Sequence, residues 1–307
     1  MFVVNPNEFL LPLFGITPFK SEHVAINHVL DNDNFDQNYF DQRFGIGTWL
    51  YTFNGREAIK IALEQYSLDE NDVVTILTTS ENFYISSCVT LEIEAVCRWN
   101  RELTSETKLI FVNHEFGYPY PDMERLLKLG IPIIEDCCTT FFSQNDSKKV
   151  GKYGDYTVYS LPKFFPMQLG GIVVSNKGII GNQKTILQEI EIKYIQNVLS
   201  YQLKKQDEII QVRGDNYTYG LQLFSSLGFT ERFFKTKSIV PSAMLLKNNG
   251  IVKDLSALKL FLSKNGIQSS VFYGEDGFFI PNHQSLTKTE IDFLFTVISF
   301  YLKHHNE

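Results

Sequence analysis

The chain has 307 residues, of which 44% are hydrophobic and 21% charged, and its formal net charge is −7. This composition excludes a disordered chain, and the negative charge argues against a nucleic-acid-binding protein, which usually carries a basic surface. The sequence contains no apolar stretch of about 18 residues, and its start lacks the basic region of a signal peptide, so we expect neither a membrane span nor secretion.

The first element with a clear start signal is a helix that begins near residue 55. Asn54 is a suitable N-cap, and Glu57, three residues later, completes a capping box. Gly55 permits close approach of another group, and a phosphate bound here would meet free N–H groups and the positive end of the helix dipole. An ordinary helix start without a ligand explains the same residues, so this segment alone does not decide whether a phosphate binds here.

Strands and helices alternate from about residue 52 to residue 175. In chain order the segments are GREAIKIALEQY, DVVTILTT, FYISSCVTLEIE, LIFVNHEFG, DMERLLKLG, IPIIEDCC, DYTVYSLP and GGIVVSN. This alternation predicts an α/β fold with right-handed crossovers and a mostly parallel sheet covered by helices on both faces. Ligands in such folds bind beyond the carboxyl ends of the strands.

Two of these segments carry a lysine and a carboxylate 27 residues apart (163 − 136). Asp136 ends a buried strand, and Lys163 follows another strand in a turn that leads to a Gly-Gly pair. An aldehyde cofactor with a basic ring nitrogen needs such a pair, because the amine forms a Schiff base and the carboxylate keeps the ring protonated. A surface lysine and a helix-capping aspartate are the alternatives, and the upstream helix start and the Gly-Gly pair argue against them.

The four cysteines predict neither a metal site nor a disulfide framework. None of them forms a C-x-x-C motif, and the vicinal pair Cys137 and Cys138 falls at a strand end, where thiols are usually packed. We therefore expect a reduced, cytoplasmic protein. His114, after the preceding strand, either lines a pocket or satisfies backbone groups, and we interpret His283 as a structural loop residue.

The pattern changes after Ser175, and we place a domain boundary there. Residues 183–212 have the pattern of one long charged helix, and a loop-rich stretch containing RGDNYTYG and LGFTERFF is predicted to follow. A helix that stops at Gly266 and a last helix that begins at Thr287, with Glu290 completing a capping box, complete a smaller α+β region. The predicted domains are a large domain over 1–175, whose first 50 residues can pack on either lobe, and a small C-terminal domain over 176–307.

The order of several short segments resembles one protein family. These segments are NGREAIKIAL, NFYISS, VNHEFGYPYPDMERL, IIEDCC, KFFPMQLGG, GDNYTYG and IPNHQSLT. They resemble the motifs of the DegT/DnrJ sugar aminotransferases, which are fold-type-I enzymes that depend on pyridoxal phosphate. The resemblance covers most of residues 52 to 300, and the chain is shorter than family members usually are.

The resemblance implies a fold-type-I large domain, a bound pyridoxal phosphate and a role for each matching residue. Lys163 would form the Schiff base and then transfer protons, and Asp136 would keep the ring nitrogen protonated. Gly55 and Arg56 would offer backbone N–H groups to the cofactor phosphate, to which the hydroxyl of Ser160 would add a bond.

Three further positions complete the implied cofactor site. Tyr84 matches the aromatic residue that stacks on the ring, with Phe83 as a near alternative. Thr139 occupies the position where the family usually has His or Gln. Asn216 would reach into the site of the neighbouring subunit, which implies a homodimer with shared active sites.

The chain departs from the family at several of these motifs. Ser160 lies three residues before the lysine, whereas the family's phosphate serine lies five before it. Leu169 replaces an acidic residue before the Gly pair, and Thr218 replaces the arginine of N-Y-R. Pro162 and Pro166 flank the lysine and stiffen its turn.

The implied activity is amination of a nucleotide-linked keto-deoxy sugar by an amino-acid donor such as glutamate, in surface polysaccharide or antibiotic sugar synthesis. No metal, nucleic acid or membrane takes part. A second enzyme, a pyridoxamine-dependent sugar dehydratase, replaces the lysine by histidine, so Lys163 argues against it. A non-catalytic cofactor- or nucleotide-binding relative and an unrelated α/β binding protein are the remaining alternatives.

Overall fold

A seven-stranded mixed sheet forms the larger part of the computed structural model, which describes residues 13–181 and 183–306. Its strands are β1 (Trp49–Thr52), β2 (Val73–Thr78), β3 (Arg98–Asn100), β4 (Thr107–Asn113), β5 (Ile133–Asp136), β6 (Tyr156–Ser160) and β7 (Gly171–Ser175). The spatial order is β1-β7-β6-β5-β4-β2-β3. Only β7 runs antiparallel to its neighbours, so the prediction of a mostly parallel sheet is confirmed.

Helices cover both faces of this sheet. The helices before residue 130 are α1 (Glu22–His28), α2 (Phe35–Phe44), α3 (Gly55–Leu63), α4 (Ser87–Glu94) and α5 (Met123–Leu127). In β7, Ile172 and Val174 face a core with α2, whereas Val173 faces a core with α3. A strand that is apolar on both sides reads as a continuous hydrophobic run, as this one does.

A second, four-stranded sheet lies in the C-terminal part of the chain. Its strands are β8 (Thr230–Glu231), β9 (Ala243–Lys247), β10 (Ser270–Val271) and β11 (Gly277–Pro281), in the order β10-β11-β9-β8. The helices after residue 180 are α6 (Glu189–Leu203), α7 (Gln206–Ser225), α8 (Leu255–Lys264) and α9 (Lys288–His304). Within the described ranges, no helix is long and apolar enough to cross a membrane.

The long charged helix predicted over 183–212 is wrong in its extent. The structure has two helices here, because α6 ends at Leu203 and the backbone departs from helical dihedral angles at Lys205, before α7 begins at Gln206. The loop predicted at RGDNYTYG is also wrong, since this segment lies inside α7. Buried Asn216, Tyr217 and Gly220 anchor that part of the helix. Tertiary packing therefore outweighs the poor helix propensity of glycine, aspartate and asparagine.

Residues near the N-terminus contact both parts of the structure. Phe14 pairs in parallel with Ile267 beside the small sheet. Further along, Asn27 of α1 donates its side-chain amide to the carbonyl of Pro166, 2.8 Å away, and α2 packs against α6 in the core of the large sheet.

Each position of the Gly-Gly pair, Gly170 and Gly171, requires glycine for a different reason. Gly170 has a φ of +119°, which residues with a side chain rarely adopt. A Cβ on Gly171 would lie 2.5 Å from Oγ1 of Thr52 and 2.7 Å from the carbonyl oxygen of Asn54. The second glycine therefore lets β7 pass directly under the start of α3.

We expect Gly171→Ala to lower the free energy of unfolding by about 1–3 kcal/mol, because the added methyl group collides with the backbone of Asn54 as well as with the side chain of Thr52, and the backbone cannot move aside. Urea denaturation measures the change. Gly214→Ala is the control, since its methyl group would meet only Nζ of Lys235 at 3.9 Å inside α7, where alanine is favoured over glycine. Equal losses in both variants would contradict this explanation.

Candidate active site

Three neighbouring parallel strands end in polar residues at the same edge of the large sheet. These residues are Asn113 on β4, Asp136 on β5 and Ser160 on β6. Asn113 and Asp136 are register partners, and Nδ2 of Asn113 donates to Oδ2 of Asp136 at 2.6 Å. The other carboxylate oxygen, Oδ1, accepts from the amide of Cys138 at 2.9 Å. Two donors therefore stabilise Asp136 as a buried anion, 3% exposed, with acceptor capacity to spare.

Lys163 lies just beyond β6, at the end of a single 3-10 turn formed by Leu161–Lys163. Its side chain is half-buried, and none of the ion pairs in the described part of the chain includes it. The amide of Leu161 donates to the carbonyl of Gly170 at 3.0 Å, which closes the loop that carries the lysine. The Gly-Gly pair therefore contributes both to closing the loop around Lys163 and to the start of β7.

The start of α3 lies against the ends of β5 and β6. A Cβ on Gly55 would stand 3.1 Å from Sγ of Cys138 and 3.2 Å from Cβ of Ser160. The carboxamide of Asn54 accepts from the amide of Glu57 at 3.0 Å, so the predicted N-cap is confirmed. In the described ranges the amides of Gly55 and Arg56 have no acceptor, and they remain available to an anion.

Glu57 does not complete the predicted capping box. Its carboxylate accepts from the amide of Phe53, the residue before the cap, and from the hydroxyl of Thr185 and the amide of Ile186. The acid therefore joins the start of α3 to the segment before α6, a long-range contact that local sequence does not encode.

Cys138 connects the parts of this site, although its sequence pattern indicated only a packed thiol. Burial raises the pKa of the Cys138 thiol well above its usual value, the carboxylate of Asp136 raises it further, and the positive charge of Lys163 opposes this rise. The two charged groups therefore act on one sulfur atom, which stays protonated. Its neighbour Cys137 is fully buried, as expected of a packed thiol.

Arg56 is exposed and points to a second thiol. Its Nε lies 3.2 Å from Sγ of Cys88, near the start of α4. Burial raises the pKa of Cys88, but hydrogen bonds with Ser86 and Arg56 and the charge of Lys163 bring the pKa of this thiol below its usual value. The pKa shifts of the two thiols near the site, Cys138 and Cys88, therefore have opposite directions.

Tyr84 belongs to an aromatic cluster between the two sheets. Its ring centroid lies 5.5 Å from that of Phe272 and 5.8 Å from that of Phe279, both on the side of the small sheet. Burial is the main reason that the pKa of Tyr84 rises to about 12. Phe83 is 76% exposed. The structure places Tyr84 in contacts with these rings, and its stacking on a cofactor stays a prediction.

Thr139 and Asn216 already have partners within the chain. Oγ1 of Thr139 donates to the carbonyl of His114 at 2.9 Å and accepts from the amide of Phe116 at 2.8 Å. Nδ2 of Asn216 donates to the carbonyls of His283 and Leu286 at 3.0 and 2.9 Å. The roles predicted for both residues toward a cofactor stay predictions.

His114 belongs to a buried hydrogen-bond network behind the site. Its Nδ1 accepts from the amide of Tyr120 at 2.9 Å, so Nε2 carries the proton and donates to Glu135, 3.0 Å away. Glu135 also accepts from the amides of Gly151, Tyr153 and Gly154. Ligand atoms of His114, Glu135 and Cys137 lie within 4.8 Å of one another, but these hydrogen bonds already give the histidine and the glutamate structural partners. Of the two interpretations of His114, the structure favours the backbone-satisfying one.

His283 is buried and neutral. It accepts from the amide of Ser285 at Nδ1, 3.2 Å away, and contacts the carbonyl of Gly15 through Nε2 at 3.1 Å. Burial, together with the positive charges of Arg213 and Lys20, lowers the pKa of His283 from 6.5 to about 3.

This pKa shift predicts an acid-sensitive contribution to stability. The pKa is lower in the folded than in the unfolded state, so the contribution is complete above pH 6.5 and is lost as the pH falls toward 3. We expect a slope of up to about 1.4 kcal/mol per pH unit from this group. In urea denaturation at several pH values, the gap between the wild-type protein and His283→Gln should narrow below pH 6.5. A constant gap would contradict the assignment.

The chain has relatives among characterised proteins and solved structures. The profile described as the DegT/DnrJ/EryC1/StrS aminotransferase family matches residues 31–290. A GDP-perosamine synthase of Escherichia coli O157:H7 is 29% identical over 40% of this chain and 39% of its own length, and one of Vibrio cholerae is 24% identical over 72% and 70%. With the first of these, the match therefore spans about two fifths of the relative.

Two solved structures have the same fold. The aminotransferase TlmJ from Streptoalloteichus hindustanus has a TM-score of 0.74 at 16% identity, covering 94% of this chain and 99% of that one. The sugar aminotransferase Spr1654 from Streptococcus pneumoniae, described as putative and in its PLP form, has a TM-score of 0.71 at 15% identity over 94% and 98%.

Proposed function

Because this chain belongs to the DegT/DnrJ/EryC1/StrS aminotransferase family, we propose that it transfers an amino group from a donor such as glutamate to a nucleotide-linked keto-deoxy sugar with the help of pyridoxal phosphate. The sugar class is that of the relatives named GDP-perosamine synthase. The membership confirms the family predicted from the order of the motifs.

The residues at the strand ends fit this cofactor. The amides of Gly55 and Arg56 are available to a phosphate, and Ser160 lies beside them. Asp136 is a buried anion with spare acceptor capacity, and Lys163 has an amine without a carboxylate partner in the described ranges. When bound, pyridoxal phosphate supplies an aldehyde and a conjugated ring that stabilises negative charge on the carbon next to the transferred amine.

Each residue has a task in the transfer. The first turn of α3 would bind and orient the phosphate. Asp136 would accept a hydrogen bond from the ring nitrogen, and the hydrogen bonds from Asn113 and the amide of Cys138 fix the orientation of its carboxylate. Lys163 would serve as general base and acid beside the reacting carbon. Because the amino group would stay on the cofactor after the donor has left, we expect ping-pong kinetics.

The observation that carries this proposal is geometric: Asp136 ends β5, Lys163 follows the neighbouring strand β6, and the start of α3 packs at Gly55 against Cys138 and Ser160 at the carboxyl ends of these two strands. A lysine at this position also favours transamination over the dehydratase alternative. A homodimer with shared active sites, a cytoplasmic location and a role in polysaccharide or antibiotic sugar synthesis belong to the same proposal.

A second candidate is a cofactor-binding relative that does not transaminate. The internal hydrogen bonds of Thr139 and Asn216 favour it, because the hydroxyl of Thr139 and the side-chain N–H groups of Asn216 are already engaged within the chain.

Absorbance of the purified protein separates these candidates. We expect a near-violet band with pyridoxal phosphate, its loss on addition of glutamate, and its return with a nucleotide-linked keto sugar from a panel. A band that glutamate leaves unchanged would support the passive relative. A protein that takes up no cofactor would contradict both.

A further inference from the structure

Arg213 is a buried cation with no acidic partner in the described part of the chain. It lies on α7 with 0% of its surface exposed, and none of the ion pairs there includes it. Burial lowers the pKa of Arg213 to about 9, so the guanidinium is still charged at neutral pH. Burying an unpaired charge costs free energy unless hydrogen bonds satisfy its donors. The guanidinium of Arg213 therefore depends on its hydrogen bonds.

Two of the three side-chain hydrogen bonds of Arg213 lead to the lysine turn, and the third joins Nη1 to the carbonyl of Asn282, 3.4 Å away. Nη2 of Arg213 donates to the carbonyl of Lys163 at 2.9 Å, and Nε donates to the side chain of Gln284 at 2.8 Å. Gln284 in turn donates to the carbonyl of Phe164 at 2.7 Å. The guanidinium also lies over the ring of Phe164, 4.6 Å from its centroid. Two consecutive carbonyls of the lysine turn are therefore bound from α7 and from the segment before α9.

This arrangement meets a need of the turn itself. A single 3-10 turn satisfies few of its own carbonyls, and Leu161 alone accepts from the amides of Phe164 and Phe165. Bonds from a charged donor are stronger than neutral ones and define the position of the acceptor. The orientation of the Lys163 backbone thus depends on a residue 50 positions away (213 − 163).

We propose that Arg213, together with Gln284, is a positioning residue that fixes the main chain of Lys163 for proton transfer. The inference rests on the proposed function insofar as Lys163 is the reacting amine. The fixed backbone itself is a property of the protein without cofactor, and it can be tested there.

Four variants separate positioning from general packing. Arg213→Met keeps the volume but removes the donors, and Arg213→Lys keeps the charge and part of the donor capacity. Arg43→Met is the matched control, because Arg43 also donates to a main-chain carbonyl, that of Phe141, and lies 4.3 Å over the Phe141 ring, but its hydrogen bonds in the described part of the chain include none to a carbonyl of the lysine turn. Gln284→Met, at a half-buried position, tests the same contacts if Arg213→Met does not fold.

Hydrogen exchange of the cofactor-free protein is the first readout. We expect Arg213→Met to speed exchange of the amides in residues 161–170 by at least about tenfold, as loss of a charge-assisted bond predicts, and Arg43→Met to leave them unchanged. Unchanged exchange in Arg213→Met, or an equal effect in Arg43→Met, would overturn the proposal. This result does not depend on activity, so an inactive wild-type protein would contradict only the proposed function.

Steady-state kinetics are the second readout. We expect Arg213→Met to retain the near-violet band and a KM within about threefold of the wild type, while kcat falls about 10²-fold, since misplacing a catalytic group by 1 Å has an effect of that size. Arg213→Lys should recover part of kcat. A kcat within threefold of the wild type in Arg213→Met, or a loss confined to KM, would refute the positioning role.

Discussion

Lys163→Ala is expected to lower kcat for amino transfer by about 10²- to 10⁴-fold and to remove the near-violet band, because no other described residue of the site offers an amine to carry the proton. The fold should persist, since the side chain of Lys163 takes part in none of the ion pairs between described residues. The measurement is the rate of donor turnover with the nucleotide sugar, together with the absorbance spectrum.

The matched control for this variant is Lys152→Ala. Lys152 is exposed and lies 11 residues earlier in the same segment (163 − 152). Its removal should leave both the spectrum and the rate within twofold of the wild type. A Lys163→Ala protein that turns over donor at more than a hundredth of the wild-type rate would remove this lysine from the mechanism.

Asp136→Asn is expected to lower kcat by about 10³-fold, because a neutral amide does not stabilise a protonated ring nitrogen. The substitution also has a structural cost. The carboxylate of Asp136 accepts from two donors, Asn113 and the amide of Cys138, and an asparagine offers only one acceptor to them. The new side-chain NH2 at position 136 would then face either Nδ2 of Asn113 or the amide of Cys138, which are both donors. Stability and activity therefore fall together in the single variant.

A reciprocal exchange separates these two effects. In the double variant Asp136→Asn with Asn113→Asp, the new amide at position 136 donates to the new carboxylate at position 113, and the net charge of the wild type is kept. We expect the double variant to regain most of the unfolding free energy lost in Asp136→Asn, as measured in urea, but none of the kcat. Recovery of both would show that the carboxylate at position 136 acts only through structure.

Local sequence patterns were sufficient for the elements that carry the site. Helix starts could be predicted because a cap acts within three residues, as Asn54 does in α3 and as Thr287 and Glu290 do reciprocally in α9. The alternation of apolar runs and helices predicted the parallel sheet, and strand ends then placed Asp136 and Lys163 at one edge. The family and the fold follow from these short-range features.

The remaining features depend on contacts between distant residues. Arg213 reaches Lys163 across 50 residues (213 − 163), and nothing in the segment RGDNYTYG indicates it. The same segment was predicted as loop because its glycine and asparagine disfavour helices, yet burial of Asn216 and Tyr217 keeps it helical. Cys138 could not be distinguished from Cys137 by sequence, since only the approach of Gly55 places one thiol in the site.

The most direct test is to find the lysine to which the cofactor is attached. Borohydride reduction in the presence of pyridoxal phosphate fixes the cofactor on its lysine, and trypsin does not cut after a modified lysine. We predict a single labelled peptide covering residues 153–177, with the added mass on Lys163. A label on another lysine, or no stable label after reduction, would contradict the assignment of this site.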